Sequence, residues 1–180
     1  MRILGVDSSG MVASVALVED DLLVAEYSVN YKKTHSQTLL PMLDEIVKMT
    51  ELDLNTIDAI AVAAGPGSFT GLRIGAATVK GLGFALEKPV ISVPTCHGLA
   101  YNLWGSDKLV CPIMDARRSQ VYTGIYEFQG NTMEVLEPQM AVDIEVIAEK
   151  LCERQQDVIF LGDGVPVFKD KLCNGLMDKL

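Results

Sequence analysis

The hydrophobic positions of this chain form short apolar runs separated by polar turns, which is the pattern of buried β-strands. The first run, at 3–7, ends on Asp7 and is followed by a Ser-Ser-Gly turn. Runs at 12–18 and 22–29 predict two further strands. A fourth apolar run, at 57–63, follows a stretch with helical spacing. The first part of the chain therefore predicts a set of hairpin strands followed by mixed helix and strand.

The same order of elements recurs later in the chain. An apolar run at 109–115 ends on Asp115, a polar turn follows, and a second run occupies 121–126. A further strand is predicted at 158–161. Two halves of the form strand, aspartate, polar turn and strand predict a duplicated α/β protein. Ribonuclease H-like halves in this order are typical of the actin/Hsp70/sugar-kinase (ASKHA) architecture.

The division between the two halves is predicted from composition. The chain length of 180 residues allows one or two domains. The composition shifts at 105–107, which reads Gly-Ser-Asp, and no low-complexity linker interrupts the chain. We therefore predict an N-terminal half at 1–105 and a C-terminal half at 106–180.

A first helix is predicted to begin near His35, because Thr34 and Gln37 have the spacing of a capping box. Leu40 lies away from the main apolar stripe, and Pro41 is expected to bend the helix. The helix is either a bent core helix or one whose second side contacts another protein. Its apolar stripe has 3.6-residue spacing and consists of Leu39, Met42, Leu43, Ile46 and Val47.

A glycine-rich segment at 65–77 joins the strand at 57–63 to a second helix that is predicted to end near Leu86. It reads Gly-Pro-Gly-Ser-Phe-Thr-Gly-Leu-Arg-Ile-Gly-Ala-Ala, which lacks the Gly-Lys-Ser/Thr ending of a P-loop and misses the dinucleotide-binding spacing by one residue. The helix carries only Arg73 and Lys80 as charges, so we predict that it packs against a core or another subunit. Ser68 or Thr70 is the predicted cap of this helix.

Composition and charge limit the classes of function. Hydrophobic residues make up 49% of the chain, yet no apolar run reaches the roughly 18 residues that a membrane span requires. The net charge of −9 argues against a principal nucleic-acid-binding surface. The four cysteines form no Cys-x-x-Cys pair, so neither a zinc site nor a disulfide framework is predicted. We expect a reducing, cytoplasmic location.

Several of these segments resemble the TsaB (YeaZ) family, over residue 1 to about 165. The resemblance implies a non-catalytic partner of TsaD in making the threonylcarbamoyl modification of adenosine 37 in tRNAs. It also implies a heterodimer with a TsaD-type protein, a TsaE-type ATPase in a larger complex, and a homodimer when the chain is alone. The matching segments are the run at 65–77, Lys-Gly-Leu-Gly-Phe-Ala at 80–85, Asp-Ser-Ser at 7–9, His-Ser at 35–36, Asp-Ala-Arg-Arg at 115–118 and Val-Tyr at 121–122.

The resemblance further implies that the first helix and the glycine-rich helix pair with TsaD. Arg73 lies in the first turn of its helix, where the helix dipole disfavours a cation, so we predict a carboxylate or carbonyl partner for it. Family members usually continue several tens of residues further, so the second half is expected to be incomplete. The predicted interface consists of His35, Leu39, Leu40, Met42, Leu43, Ile46, Arg73, Ile74, Gly75, Thr78 and Leu82.

The rival hypothesis is a small ATP-dependent phosphotransferase or ATPase of the same superfamily. Two turns loosely match its nucleotide-binding loops, but the turn at 116–119 has no glycine to admit a phosphate. Asp-Ser-Ser and Gly-Asp-Gly are also ordinary turn sequences. We predict no cofactor of its own, with ATP or ADP bound only weakly or at a complex interface. The candidate vestigial loops are Asp7, Ser8 and Ser9, and Gly162, Asp163 and Gly164.

No catalytic residue and no metal ligand are assigned. TsaD relatives hold metal through a His-x-x-x-His pair, and the corresponding positions here are Thr95 and Leu99. His97 stands alone, so the older metalloprotease label of the wider family has no support in these residues. Ser68 does not lie in a Gly-x-Ser-x-Gly sequence, because glycine directly precedes it.

Overall fold

The computed structural model describes residues 1–31 and 35–177. The chain divides into two compact units, Met1–Thr95 and Cys96–Leu180. None of the helices in the described residues is long and apolar enough to cross a membrane.

The boundary between the units lies earlier than the position predicted near Gly105. The helix Thr95–Tyr101 supplies Cys96 and Ala100, both 0% exposed, to a core cluster of the second unit. Because these side chains pack with the strands that follow them, the helix belongs mainly to the second unit. Composition alone does not report that packing.

Unit 1 is a mixed five-stranded sheet with the strand order β3-β2-β1-β4-β5. The first three strands are antiparallel, while β4 and β5 run parallel to β1. The helices α1 and α2 pack with the sheet in one hydrophobic core, as the amphipathic spacing of α1 predicts. Its elements are β1 (Arg2–Asp7), β2 (Ala13–Glu19), β3 (Leu22–Val29), α1 (His35–Met49), a short 3-10 helix (Leu54–Thr56), β4 (Ala59–Ala63), α2 (Phe69–Leu86) and β5 (Val90–Val93).

Unit 2 repeats this arrangement with a four-stranded sheet in the order β8-β7-β6-β9. Strands β6, β7 and β8 are antiparallel neighbours, and β9 runs parallel to β6. The match to β3-β2-β1-β4 of unit 1 confirms the predicted duplication. The elements are α3 (Thr95–Tyr101), β6 (Leu109–Arg117), β7 (Gln120–Gln129), β8 (Thr132–Asp143), α4 (Ile144–Arg154), β9 (Val158–Leu161) and α5 (Val165–Met177).

Candidate partner-binding surface

The start of α2 packs directly against the turn that follows β1. Ser68 caps the helix, because its Oγ accepts a hydrogen bond from the Gly71 N–H at 3.3 Å, and its own N–H donates to the Ser9 carbonyl at 2.6 Å. The Ser8 hydroxyl donates to the Gly71 carbonyl at 2.9 Å. A Cβ at Gly71 would lie 2.0 Å from the Ser8 carbonyl oxygen, and one at Gly75 would lie 2.4 Å from Ser8 Oγ. The glycines therefore permit close packing, as predicted.

His35 joins the start of α1 to the same turn. Its Nε2 lies 2.9 Å from the Gly10 carbonyl oxygen. Since a carbonyl oxygen can only accept, Nε2 carries the hydrogen in this contact. The predicted interface residue His35 thus makes a contact inside unit 1. The capping box predicted with Thr34 lies outside the described residues.

Most of the predicted interface residues of α1 are buried within unit 1. The exposed fraction is 1% for Leu39, 3% for Met42 and 6% for Leu43, and Ile46 is equally buried. Their side chains pack against the sheet, so they are unavailable to a partner while the unit is folded. Leu40 differs, because 56% of it is exposed. The stripe of α1 is therefore a core stripe, and Leu40 lies on the outer face.

The predicted interface residues of α2 are divided in the same way. Ile74 and Leu82 are partly buried and pack against the core of unit 1. Gly75 is buried against Ser8, and Thr78 is half-buried. Of this group, Arg73 is exposed. The inward side of α2 thus holds four of the five residues that the sequence placed at an interface.

The outward side of α2 carries a stripe of exposed residues that includes two phenylalanines absent from the predicted interface. Phe69 is 68% exposed and Phe84 is 89% exposed. Positions 69, 73, 77, 80 and 84 follow the helical repeat and fall on one side of the helix. We call this set the outer stripe of α2; it consists of Phe69, Arg73, Ala77, Lys80 and Phe84, all of which are exposed.

Arg73 stacks on an aromatic ring of its own helix. Its guanidinium carbon lies 3.9 Å from the centroid of the Phe69 ring. Across residues 1–31 and 35–177, Arg73 takes part in no ion pair, so the carboxylate predicted for it is not supplied by this part of the chain. The contact with Phe69 is a cation–π interaction on an exposed surface.

The candidate nucleotide loop of the first half has a counterpart in the second. The Asp7 carboxylate accepts from the Ser9 N–H at 2.7 Å, and the Asp115 carboxylate accepts from the Arg117 N–H at 2.7 Å. The donor to Asp115 is the Arg117 backbone, and no ion pair between the two side chains occurs among residues 1–31 and 35–177. Ser8 is 2% exposed and its hydroxyl is bonded to α2. Both aspartates thus hold the turn that follows the first strand of their half.

The later candidate loop packs on β6. The Gly164 N–H donates to the Ile113 carbonyl at 2.9 Å, and a Cβ at Gly162 would lie 2.4 Å from the same oxygen. Asp163 accepts from the Asp115 N–H at 3.3 Å. The loop is therefore held against the strand backbone, and nucleotide binding there stays a prediction.

The two positions that correspond to metal ligands have structural contacts. Thr95 is 2% exposed, its hydroxyl accepts from the Gly65 N–H at 3.1 Å, and its own N–H donates to the Gly65 carbonyl at 2.9 Å. Leu99 packs against a core cluster of unit 2. His97 contacts the Tyr126 ring edge-on, with centroids 5.2 Å apart. Among the described residues, no group of three histidine, cysteine or acidic side chains is placed to hold a metal.

Comparison with known proteins identifies the family. Residues 23–179 match the family model described as TsaD, tRNA N6-adenosine threonylcarbamoyltransferase. The chain is 36% identical, over 172 residues, to the tRNA threonylcarbamoyladenosine biosynthesis protein TsaB of Bacillus subtilis, and the match covers 96% of this chain and 75% of that protein. This chain belongs to the TsaB family. The TsaB protein of Escherichia coli is 32% identical over 180 residues, which is 94% of this chain and 74% of that protein.

Solved structures agree with this family and with its fold. YeaZ from Pseudomonas aeruginosa superimposes with a TM-score of 0.73 at 32% identity, covering 81% of this chain and 70% of that one. The ethanolamine utilization protein EutJ from Carboxydothermus hydrogenoformans has a TM-score of 0.53 at 12% identity, covering 98% of this chain and 82% of that one. EutJ shows the fold alone. The α/β ASKHA architecture predicted from the duplicated halves is confirmed.

Proposed function

We propose that this TsaB-family chain acts in tRNA threonylcarbamoyladenosine biosynthesis as a non-catalytic subunit that binds and activates a TsaD-type transferase. The observation that carries the proposal is the outer stripe of α2. Phe84 is 89% exposed and Phe69 is 68% exposed, although burial of a phenylalanine side chain is worth about 1.5–3 kcal/mol. A helix that leaves two phenylalanines in solvent gains this free energy when another protein covers them.

The binding surface combines both helices. α1 contacts α2, and both pack on the sheet in one core. The outer stripe of α2 and Leu40 of α1 are the exposed parts of these two helices that we assign to partner binding, and we call them together the α1/α2 surface. Helices of the partner that pack on this surface would hold the transferase in its active arrangement. The same apolar groups favour a homodimer when the transferase is absent.

In this proposal the transferase, and not this subunit, carries the main tRNA-binding surface. A chain with 24 acidic and 15 basic residues repels a phosphate backbone, so the transferase supplies the main tRNA-binding surface. The subunit needs no cofactor of its own, and ATP or ADP binds weakly or at an interface of the complex. A TsaE-type ATPase completes the larger assembly.

The test is Phe84→Glu, which places a charge at the most exposed aromatic of the stripe. We expect the heterodimer with the TsaD-type protein of the same genome to weaken at least tenfold, because a buried unpaired carboxylate costs several kcal/mol. Light scattering after size-exclusion chromatography reports the complex, and titration calorimetry reports its Kd. Leu40→Glu tests the contribution of α1 in the same assays.

The matched control is Val167→Glu on α5, where an exposed apolar side chain, 61% accessible, lies outside the proposed surface. This variant should bind like the unmodified chain. Gly75→Glu and Leu39→Glu are unsuitable, because both positions are buried and would unfold unit 1. If Phe84→Glu and Val167→Glu bind equally well, the outer stripe of α2 is not the site of pairing.

A further inference from the structure

Arg73 is an exposed cation near the start of α2, and the described residues give it no counter-charge. It is the fifth residue of the helix, just beyond the first turn in which the helix dipole acts most strongly on a charge. The chain has a net charge of −9, yet the described residues bring no carboxylate within ion-pair distance of Arg73. An exposed guanidinium without a counter-charge among the described residues can accept one from another molecule.

The contact with Phe69 orients the guanidinium without using its donors. Stacking occupies one face of the planar group, 3.9 Å from the ring centroid. The five N–H donors lie in the plane of the group and stay available at its edge. Because Phe69 is itself exposed, the stack stands on the outer surface of unit 1 and is not part of its core.

We propose that Arg73, held on the Phe69 ring, binds a carboxylate of the TsaD-type partner and decides which protein the α1/α2 surface accepts. The inference rests on the proposed function. A planar, pre-oriented guanidinium forms two parallel hydrogen bonds with a carboxylate, which adds geometric selectivity to the apolar contacts. An acidic group on the partner also supplies the counter-charge that residues 1–31 and 35–177 do not bring to Arg73.

The charges of the outer stripe also make a second copy of the chain a weaker partner than an acidic protein, although its apolar groups still allow a homodimer when that protein is absent. It carries Arg73 and Lys80 and no acidic residue. If α2 packed antiparallel against α2 of a second copy about Ala77, Arg73 of each copy would lie near Lys80 of the other. Like charges at an interface are repulsive, so the stripe selects an acidic partner over itself.

The experiment compares Arg73→Gln, Arg73→Lys and Phe69→Leu with Lys169→Gln, which removes an exposed cation of α5 outside the surface. Titration calorimetry with the TsaD-type protein is run at low and at high salt. We expect Arg73→Gln to weaken binding at least tenfold and to reduce its salt dependence. The affinity of Arg73→Lys and that of Phe69→Leu should each fall several-fold, and the affinity of Lys169→Gln should stay within twofold of that of the unmodified chain. Melting temperatures should be unchanged throughout.

Each other outcome counts against the proposal. If Phe84→Glu abolishes binding but Arg73→Gln does not weaken it, the proposed function stands and Arg73 does not select the partner. Equal losses of affinity in Arg73→Gln and Lys169→Gln would show that binding depends on the net charge of the chain and not on Arg73 itself. Losses that follow a lowered melting temperature would assign Arg73 to the fold. If the unmodified chain fails to bind the TsaD-type protein, both the function and this inference are wrong.

A charge swap would confirm the contact directly. Arg73→Glu should lose binding, and one change from an acidic residue to lysine on the partner should restore it.

Discussion

Ser8 lies in the turn after β1, where it packs directly on α2. Its hydroxyl is 2.9 Å from the Gly71 carbonyl oxygen that it bonds, and it faces Gly75 one turn further along the helix. A side chain at Gly75 would have to occupy the space of a buried hydroxyl. The spacing of the glycines is therefore set by a contact between α2 and a turn far away in the sequence.

Gly75→Ala is expected to destabilise the protein by about 1–3 kcal/mol, because the added Cβ overlaps Ser8 Oγ at 2.4 Å. Gly81→Ala is the control on the same helix, since nothing lies within 4 Å of its Cβ, and it should stabilise by about 0.5–1 kcal/mol. Urea unfolding measures both. Adding Ser8→Ala to Gly75→Ala should recover part of the loss. A Gly75→Ala variant as stable as the unmodified chain would contradict the contact.

The residues of α1 and α2 show how much of the α1/α2 surface can be predicted from the sequence. Leu39, Met42, Leu43 and Ile46 of the predicted α1 stripe are buried, and Leu40, which the sequence places off that stripe, is exposed. Periodicity identifies an apolar stripe but does not say whether the chain's own sheet or another protein covers it. In α2 the small residues hide the periodicity, so Phe84 was missed, although its helical relation to Arg73 was present in the sequence.

Strand β8 is one of the elements that the hydrophobic pattern did not predict, although it spans Thr132–Asp143. It is an edge strand that contains Pro138 and acidic residues, and such features break the apolar alternation while protecting the edge from aberrant pairing. One of these acids, Glu137, bonds Lys150 at 2.9 Å and Arg154 at 3.2 Å on α4. These two ion pairs therefore link β8 to α4, a contact that the hydrophobic pattern of neither element predicts.

The hydrogen bond from Lys150, with a further one from Arg154, lowers the pKa of Glu137. A carboxyl whose pKa is lower in the folded state contributes stability above its unfolded pKa, and that contribution is lost as the pH falls through the folded value. Glu137→Gln should therefore reduce the free energy of unfolding by about 0.5–1 kcal/mol at pH 7, since the pair is partly exposed. The difference should shrink below about pH 4. Urea unfolding across this range tests it, with the exposed Glu134→Gln as control; a pH-independent difference would contradict the ion pairs.

The molecule consists of two units, each with its own buried cores. Ile60 lies in the core cluster of unit 1, and Ile147 lies in a cluster of unit 2. The repeated strand order was predictable, because each half begins with a buried strand that ends on an aspartate. The boundary at Thr95 was not predictable from composition. It depends on which unit's core receives the buried residues of α3, and these pack in a core of unit 2. All residues of the α1/α2 surface belong to unit 1.

This division predicts that damage to one core leaves the other unit folded. Ile147→Ala should destabilise unit 2 by about 2–5 kcal/mol, since Ile147 is 0% exposed. Amide hydrogen exchange should then show lost protection after Thr95 and unchanged protection before it, and binding of the TsaD-type protein should persist. Ile60→Ala, equally buried in unit 1, should lower protection there and weaken binding. Equal loss of protection in both units after Ile147→Ala would mean that they unfold together, and the α1/α2 surface would then depend on the whole chain.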